Sequence, residues 1–594
     1  MFTCSALMGQ WEPLNGPYGG WIHDLKQNEI YQFASTDHGI YRSHDHGNTW
    51  KQLTIEGAPG YSSYYFGIHH NKLVASVRVL EAGEEKRFLY KSEDNGDSWI
   101  RINRPDSAFY GMDIAINDYG IYIAWNYHLW VSTDEGLTWK YSYLDSLENY
   151  FDGLSVYDDH IYVGCSNRLY KSSGSGDVWS EIEVDGLHEG INTINVFDSL
   201  IFIREYQYGK LYRSENGGET WTHSISPDWG NGWTNFVKID SIFYANNSGS
   251  ILLSRDKGKT WESISNEYVG SIYKMINAGD TILAGTLGEG VMQSTDFGLA
   301  FHESNSGMGA TVVNAIALDQ NSLWTGCYSI GVSRYHIFNG MWDTTLLHVE
   351  YEVRDIKTLD NRVFAITDYD GISRSDDNGN SWTVITPIPD FFDFTELYTD
   401  GHSILIGGIS QFQYSALYIS DDYGNTWKPD TFRINDKRYH PSIFARKGNT
   451  IFTATGENIF RSTDNGSTWQ ISSNGLAIDS CWCGIINLFT SDELIFALIS
   501  DEANYSSKLF ISRNNGDTWE FYAPDIHETG FTGLGFITHV DNILLASGSN
   551  PNRGGVFVSF DNAITWQSFS EGLSFDKVYE IISDNEYMYA ATSG

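Results

Sequence analysis

The stretch that decides the fold is Ser462-Thr463-Asp464-Asn465-Gly466-Ser467-Thr468-Trp469. Strand-like residues lie on both sides of it, so its Asp-x-Gly centre predicts a hairpin turn. The aspartate is expected to accept hydrogen bonds from backbone N–H groups of its own turn, and the glycine to supply a positive φ. The hydroxyl side chains can satisfy further turn groups, and the tryptophan can bury its ring between neighbouring sheets. The stretch is therefore a folding device first, since a calcium loop draws more oxygens from one segment.

Near-copies of this stretch recur along the chain at intervals of roughly 40 to 50 residues. They end at Trp50, Trp99, Trp139, Trp179, Trp221, Trp261, Trp382, Trp427, Trp519 and Trp566. A weaker copy ends at Phe301, and a degenerate one covers residues 333–342. A fourteenth unit begins at Val578 and stops before its third strand, while residues 10–14 resemble the strand that normally follows a turn. The N-terminal strand can therefore complete the last unit and remove a free sheet edge.

Four short strands per unit, rich in β-branched and aromatic residues, predict one antiparallel propeller blade. Because one ring typically holds about four to eight blades, we predict an all-β fold of two tandem seven-bladed β-propellers. The weakest repeats lie at the middle of the count, which places the boundary near residues 303–312. The expected domains are an N-terminal propeller over 11–307 and a C-terminal propeller over 308–594. The last blade is expected to be completed by the N-terminal strand or truncated.

The chain is strongly acidic, with 37 Lys and Arg against 76 Asp and Glu and a formal net charge of -39. An acidic surface repels phosphate backbones, so nucleic acid is not expected as a partner. No segment approaches the roughly 20 apolar residues of a membrane span, so membrane insertion is not expected either. Residues 1–10 are expected to be the remnant of a secretion signal or a poorly ordered N-terminus, and the signal favours a secreted or cell-surface protein.

Neither a cofactor nor a metal site is predicted. The five cysteines fit no zinc spacing and no disulfide framework. Cys165 and Cys327 occupy equivalent strand ends and are expected to pack as small buried thiols. His69 and His70 are adjacent, and on a strand their side chains would point to opposite faces.

The repeated Ser-x-Asp-x-Gly-x-Thr-Trp pattern resembles the Asp-box, or BNR repeat. This motif is shared by sialidases, sortilin-type receptors, photosystem II assembly factors and two-propeller xyloglucanases. Sialidases also need an Arg-Ile-Pro stretch, which this sequence lacks, and sortilin-type receptors have ten blades followed by a cysteine-rich module. The architecture resembles most closely that of the two-propeller xyloglucanase-like glycoside hydrolases.

That resemblance implies a candidate catalytic pair. Asp37, within residues 34–42, lines up with a carboxylate in the first blade of the xyloglucanases. The like position of the second propeller, residues 326–331, carries no carboxylate, and Asp368 and Asp370 lie one blade later. If the chain is a hydrolase, the resemblance implies that Asp37 and one of these two aspartates act across the inter-propeller cleft.

Aromatic side chains are frequent in the loops, where propellers usually bind their ligands. The candidate ligand-binding residues are Tyr65, Trp125, Tyr127, Tyr206, Trp229, Trp233, Phe391 and Phe412. The alternative is that these rings cap the core or join neighbouring blades. We expect a propeller that binds a polymeric glycan or a protein partner without catalysis of its own. The alternatives are the glycoside hydrolase above and a scaffold subunit of an extracellular assembly.

Overall fold

The computed structural model describes most of the chain, in many short ranges. These are residues 2–5, 11–14, 18–58, 61–81, 84–105, 113–125, 128–142, 151–188, 190–205, 210–224, 235–247, 250–264, 272–309, 311–328, 331–343, 346–347, 352–367, 371–385, 393–399, 403–409, 415–430, 433–434, 437–439, 441–476, 483–491, 494–501, 506–522, 533–540, 543–550, 553–571, 573, 578–584 and 587–592. Every regular element in these ranges is a β-strand. None of them holds a helix long and apolar enough to cross a membrane.

The chain divides into two compact units, one formed by residues 18–310 and the other by residues 1–17 with 311–594. Two strands come first, β1 (Phe2–Ser5) and β2 (Trp11–Pro13). The unit of residues 18–310, called here the N-terminal propeller, contains β3 (Gly20–Gln27), β4 (Gln32–Thr36), β5 (Gly39–Ser43), β6 (Lys51–Gln52); β7 (Ser62–His69), β8 (Lys72–Glu81), β9 (Glu84–Ser92), β10 (Ile100–Ile102); β11 (Asp113–Asn117), β12 (Gly120–Trp125), β13 (His128–Ser132), β14 (Lys140–Ser142); β15 (Phe151–Tyr157), β16 (His160–Cys165), β17 (Arg168–Ser173), β18 (Trp179–Ile182); β19 (Ile191–Phe197), β20 (Leu200–Glu205), β21 (Leu211–Ser214), β22 (Thr222–His223); β23 (Phe236–Ile239), β24 (Ile242–Asn247), β25 (Ser250–Ser254), β26 (Glu262–Ser263); and β27 (Ile272–Ala278), β28 (Thr281–Gly288), β29 (Val291–Ser294), β30 (His302–Glu303).

The other unit, called here the C-terminal propeller, continues the same pattern. Its strands are β31 (Val313–Leu318), β32 (Ser322–Cys327), β33 (Gly331–His336), β34 (Met341–Trp342); β35 (Val353–Leu359), β36 (Arg362–Thr367), β37 (Gly371–Ser375), β38 (Thr383–Val384); β39 (Asp393–Thr399), β40 (Ile404–Ile409), β41 (Ser415–Ser420), β42 (Lys428–Asp430); a small hairpin of β43 (Arg433–Ile434) and β44 (Lys437–Arg438); β45 (Ile443–Lys447), β46 (Thr450–Ala454), β47 (Ile459–Ser462), β48 (Gln470–Ile471); β49 (Cys483–Thr490), β50 (Ile495–Asp501), β51 (Ser506–Ser512), β52 (Glu520–Tyr522); β53 (Gly533–Val540), β54 (Ile543–Asn550), β55 (Arg553–Ser559), β56 (Gln567–Ser568); and β57 (Val578–Ser583) with β58 (Tyr587–Thr592).

Each group of four consecutive strands forms one antiparallel blade. In most pairs of neighbouring blades the first strands lie side by side, and β3 and β31 meet β27 and β57 respectively. In the N-terminal propeller β28 also pairs with β3, Leu287 opposite Trp21, which closes that ring. Buried clusters lie between adjacent blades, as where Phe33 and Phe66 share one cluster. The described residues therefore form two seven-bladed propellers, as predicted.

The last blade of the C-terminal propeller takes two of its strands from the chain start. The sheet order is β2-β1-β58-β57, with Phe2 opposite Ala590 and Trp11 opposite Cys4. The structure thus differs from the expectation that residues 1–10 are a signal remnant or disordered, because Phe2–Ser5 supplies the third strand of this blade. It also differs in the expected domain limits, since residues 11–17 group with the C-terminal propeller and the division falls after residue 310.

The predicted turn chemistry is confirmed at Asp464. Asp464 Oδ1 accepts from the backbone N–H of Thr468 at 2.8 Å, and its Oδ2 accepts from the Thr468 hydroxyl at 2.7 Å. Ser462 Oγ donates to Asp464 Oδ1 and accepts from the N–H of Gly466, both at 2.8 Å. Gly466 has φ 84°, the region that favours glycine. These bonds fix the turn between the third and fourth strands of the blade.

Tryptophans of these turns connect neighbouring blades. Five of them donate their indole N–H to the outer edge of the preceding blade, as Trp139 does to Asn103 O and Trp519 to Ser472 O. The other three are Trp50, Trp179 and Trp427. Some of the turn rings are almost fully buried, such as Trp519 at 4% exposure, whereas Trp469 is only half-buried. The expectation of a ring between neighbouring sheets therefore holds at the buried positions.

The first strands carry a feature that the sequence pattern did not predict. In eleven of the blades in the described ranges, the pairing of first and second strands shifts by one residue, which is a β-bulge. At two bulges the carboxylate accepts from the neighbouring first strand: Asp355 from Leu397 N at 2.8 Å, and Glu580 from Ile316 N at 2.9 Å. The bulges thus place charged groups where the first strands converge.

Candidate functional site

Asp37 lies in the turn between β4 and β5 of the first blade, where Thr36 pairs with Gly39. Thr36 Oγ1 donates to Gly39 O and accepts from His38 N, both at 3.0 Å. Gly39 has φ 108°, which a side chain would disfavour. The Asp37 side chain is 35% exposed. A rigid turn therefore presents this carboxylate at the end of the blade.

Two side chains from the neighbouring first strands hold the Asp37 carboxylate. His23 Nε2 of β3 lies 3.1 Å from Asp37 Oδ1, and Tyr64 of β7 is a second hydrogen-bond partner. The His23 and Tyr64 rings are 4.2 Å apart, and Trp21 meets the His23 ring edge-on at 6.2 Å. Burial opposes the charged form of Asp37, but the hydrogen bonds and charge of His23 and the hydrogen bond of Tyr64 outweigh it and lower the pKa. Asp37 is therefore ionised at neutral pH.

Two arginines complete the group on the side of the second blade. Arg78 Nη1 lies 3.4 Å from Tyr64 Oη, and the Arg78 and Arg87 guanidinium groups lie 5.7 and 5.6 Å from the centre of the Tyr64 ring. Burial, and after it the Asp37 charge, raises the pKa of Tyr64 to about 12, so this phenol stays neutral and can donate. The site, called here the rim at Asp37, thus combines the ionised carboxylate of Asp37, the neutral hydroxyl of Tyr64 and the guanidinium groups of Arg78 and Arg87.

The structure places few of the other predicted site residues. Tyr65 of β7 is half-buried against the cluster of Val74 and Ile114, and burial, then the charge of Asp113, raises its pKa. The backbone of Trp125 ends β12, opposite His128. The remaining predicted residues lie outside the described ranges: Tyr127, Tyr206, Trp229, Trp233, Asp368, Asp370, Phe391 and Phe412.

Sequence reasoning did not assign His23, Arg78 and Arg87 to a site. One feature could have pointed to the two arginines, namely the length of the hairpin that carries them. Its strands β8 and β9 are ten and nine residues long and extend beyond the other hairpins of the N-terminal propeller. Their register places Arg78 opposite Arg87, which brings two cations to one position. His23 could not be assigned because the bulge at Ile22 and Asp24 changes which side chains of β3 face the turn.

A second polar region lies along the first strands of the N-terminal propeller. A cavity of about 700 Å³ opens there, with Lys26, Asp113 and Lys274 among its lining residues and Asp37 not among them. Lys26 Nζ lies 2.7 Å from Asp24 Oδ2. Burial raises the pKa of Asp113 against the opposing charges of the two lysines. This cavity is distinct from the rim at Asp37.

One expectation about the histidines is wrong. His69 and His70 do not point to opposite faces, since their ring centres are 4.3 Å apart. The reason is that β7 ends at His69, and His70 is the first turn residue with φ 52°. Cys165 and Cys327 are both buried, as expected, and burial raises the pKa of Cys327 to about 12.

Two family profiles match parts of the chain. One, described as "Sortilin, neurotensin receptor 3", matches residues 415–593, and the other, the BNR-Asp box repeat, matches residues 40–53. A search of curated protein sequences gives no match.

Solved structures show the same fold over almost the whole chain. A GH74 enzyme from Niastella koreensis is 16% identical, with a TM-score of 0.64, and 93% of each chain is covered. The GH74 xyloglucanase from Xanthomonas campestris is 14% identical, with a TM-score of 0.67, and 98% of each chain is covered. A weaker likeness, at 9% identity and a TM-score of 0.42 over 89% of this chain and 84% of the other, is to PorZ, a bacterial surface component of the type-IX secretion system of Porphyromonas gingivalis. The chain thus carries an Asp-box repeat on the two-propeller fold of these GH74 structures, and at these identities the likeness concerns the fold alone.

Proposed function

We propose that the N-terminal propeller binds a polymeric glycan at the rim around Asp37, without catalysis of its own. The observation that carries this proposal is the ionised Asp37 carboxylate held by His23 and Tyr64. A fixed carboxylate can accept hydrogen bonds from two neighbouring sugar hydroxyls, and such charge-assisted bonds are strong. The half-buried Trp21 ring offers an apolar surface for a sugar face, and Arg78 and Arg87 offer donors.

A location outside the cell belongs to the same proposal, because polysaccharides of cell walls and matrices are extracellular polymers. Fractionation of the native organism checks it. Recovery of the protein from the cytoplasm alone contradicts this part and leaves the binding test unaffected.

The binding test uses the full chain on a glycan array, followed by calorimetry on the best oligosaccharide. Asp37→Ala is expected to weaken binding by about tenfold or more, the cost of losing hydrogen bonds to a charged group. Tyr64→Phe is expected to weaken it less, because it removes one donor and keeps the ring. The matched control is Asn167→Ala, an exposed residue in the corresponding turn between β16 and β17. Equal affinity of Asp37→Ala and Asn167→Ala, or no glycan bound, contradicts the proposal, and a protein partner then becomes the leading alternative.

Hydrolysis of a glycan is the second candidate. It is favoured by the lowered pKa of Asp37, since a carboxylate that stays ionised suits the base or nucleophile of a carboxylate pair. Its general acid would be Asp368 or Asp370. The test is release of reducing ends from xyloglucan and other β-glucans. Loss of release in Asp37→Asn with retained binding supports hydrolysis, whereas binding without release by the wild type supports binding alone.

A further inference from the structure

The turn between β7 and β8 has an unusual residue at its first position. In the described ranges, six other turns between first and second strands have a positive φ at this position, and they place Asp or Gly there: Asp158, Asp198, Asp240, Gly279, Asp360 and Gly448. Asp, Gly and His all adopt this conformation more readily than most residues, so the turn accommodates an imidazole. His70 takes the same conformation, with φ 52°.

With His70 at this position, two imidazoles and a carboxylate lie close together. The ligand atoms of His69, His70 and Asp118 all lie within 4.8 Å of one another. His69 Nε2 is 2.9 Å from Asp118 Oδ1, which belongs to the next turn, between β11 and β12. Two ligands of a tetrahedral zinc ion lie about 3.3 Å apart when each metal–ligand bond is about 2.0 to 2.1 Å. The three groups therefore need to move little to share one ion.

A second carboxylate orients His70. Glu29 Oε1 lies 3.1 Å from His70 Nδ1, which leaves Nε2 as the nitrogen that can bind a metal. A carboxylate on the outer nitrogen of a metal-binding histidine fixes the ring and raises its basicity. The turn itself is anchored, because Asn28 Nδ2 donates to His70 O at 2.6 Å and Asn95 N donates to Asn71 O at 2.9 Å. The backbone of the turn is thus fixed, and the His70–Glu29 pair lies at its surface.

Both acidic and basic groups surround the cluster. His69, His70 and Asp118 line the 700 Å³ cavity of the N-terminal propeller, together with Asp158 and Asp159 and with Lys26 and Lys274. Lys72, at the start of β8, lies 2.7 Å from Glu135. The neighbouring turn between β15 and β16 thus adds two carboxylates to the lining of the same cavity.

We propose that His69, His70 and Asp118 bind a divalent transition-metal ion at the mouth of this cavity, with Glu29 as the outer partner of His70. Two imidazoles and one carboxylate suit Zn²⁺, Ni²⁺ or Cu²⁺ rather than Ca²⁺ or Mg²⁺, which take mostly oxygen ligands. Three protein ligands leave a fourth position open toward the cavity. The proposal is independent of the glycan site at Asp37.

The test is calorimetry of the full chain with Zn²⁺ at pH 7.5, after dialysis against a chelator. One high-affinity ion per chain is expected. Asp118→Ala and His70→Asn are each expected to weaken binding by at least about tenfold, and Glu29→Gln by about tenfold. Asn tolerates the positive φ of the turn, so His70→Asn removes the imidazole without unfolding the hairpin.

The control is His336→Ala in the C-terminal propeller. His336 Nε2 lies 3.0 Å from Asp343, a pair like that of His69 and Asp118 that belongs to no three-ligand group in the described part of the chain. This variant should bind Zn²⁺ like the wild type, which separates the proposed site from weak binding at the 17 histidines of the chain. Equal Zn²⁺ affinity of the wild type and His70→Asn overturns the proposal, as does the absence of high-affinity binding at pH 7.5.

Discussion

Glu396 belongs to a group of charges on the first strands of the C-terminal propeller. Lys357 Nζ lies 2.6 Å from Asp355 Oδ1 and 3.6 Å from Glu580 Oε1, and these two carboxylates, with Lys357, act electrostatically on Glu396. Burial opposes the charge of Lys357, but Asp355 and Glu580 outweigh it and raise the lysine pKa. For Glu396, burial and then the Asp355 charge raise the pKa well above its usual value. One lysine thus lies among three carboxyl groups, and burial is the first cause that raises the pKa of both Glu396 and Glu580.

Glu396→Gln is expected to stabilise the protein above neutral pH. The folded state holds a proton on Glu396 that the unfolded chain loses above a pKa of about 4.3, so stability falls as pH rises through this window toward the raised pKa. Glutamine copies the neutral form and removes this loss. The unfolding temperature at pH 8 should rise by about 2 to 4 °C for each kcal/mol gained, with little change at pH 4. The exposed Glu457→Gln serves as the control, and equal effects of Glu396→Gln at both pH values would contradict the assignment.

At the scale of the strand and its turn, one buried serine organises the Asp-box that ends at Trp469. Ser462 is 1% exposed, and its hydroxyl is the acceptor of the buried Gly466 N–H. The same serine-to-glycine bond recurs at Ser43, Ser92, Ser254, Ser375 and Ser420. The turn therefore depends on a buried hydroxyl as well as on its aspartate.

Ser462→Ala is expected to destabilise the C-terminal propeller by about 1 to 3 kcal/mol, because the Gly466 N–H stays buried without its acceptor. Urea unfolding followed by tryptophan fluorescence measures the loss. Ser467→Ala, at an exposed position of the same turn, should change the free energy of unfolding by no more than about 0.5 kcal/mol. Similar losses in the two variants would show that the aspartate alone maintains the turn.

The local sequence pattern predicted these turns because every hydrogen-bonding group in them comes from eight consecutive residues. It could not predict the side-chain positions that depend on strand register. The bulge between Ile22 and Asp24 and the end of β7 at His69 each shift a side chain by one position. The shift in β3 brings His23 to Asp37, and the end of β7 at His69 lets the rings of His69 and His70 approach each other. The position of Asp37 followed from a resemblance, whereas its partners came from strands distant in sequence.

At the scale of the whole molecule, the blade number could be predicted because thirteen of the fourteen units carry a copy of the motif, complete or weakened. The closure was predicted in part: residues 10–14 resembled a fourth strand, but Phe2–Ser5 carried no repeat signal. Pairing of β1 with β58 joins residues almost 600 positions apart, and no local pattern reports such a contact. The C-terminal propeller thus depends on the first residues of the chain to complete its last blade.

Trp11→Ala is therefore expected to destabilise the C-terminal propeller selectively. Trp11 is 1% exposed, donates its indole N–H to Phe569 O at 2.7 Å and packs in the cluster of Val556 and Val578. Loss of a buried tryptophan costs about 3 to 5 kcal/mol. Limited proteolysis with mass spectrometry should then find new cuts within residues 311–594 and none within 18–310. Trp99→Ala, which removes a turn tryptophan of the N-terminal propeller, should give the reverse pattern, and cuts spread evenly over both units in Trp11→Ala would show that the two propellers unfold together.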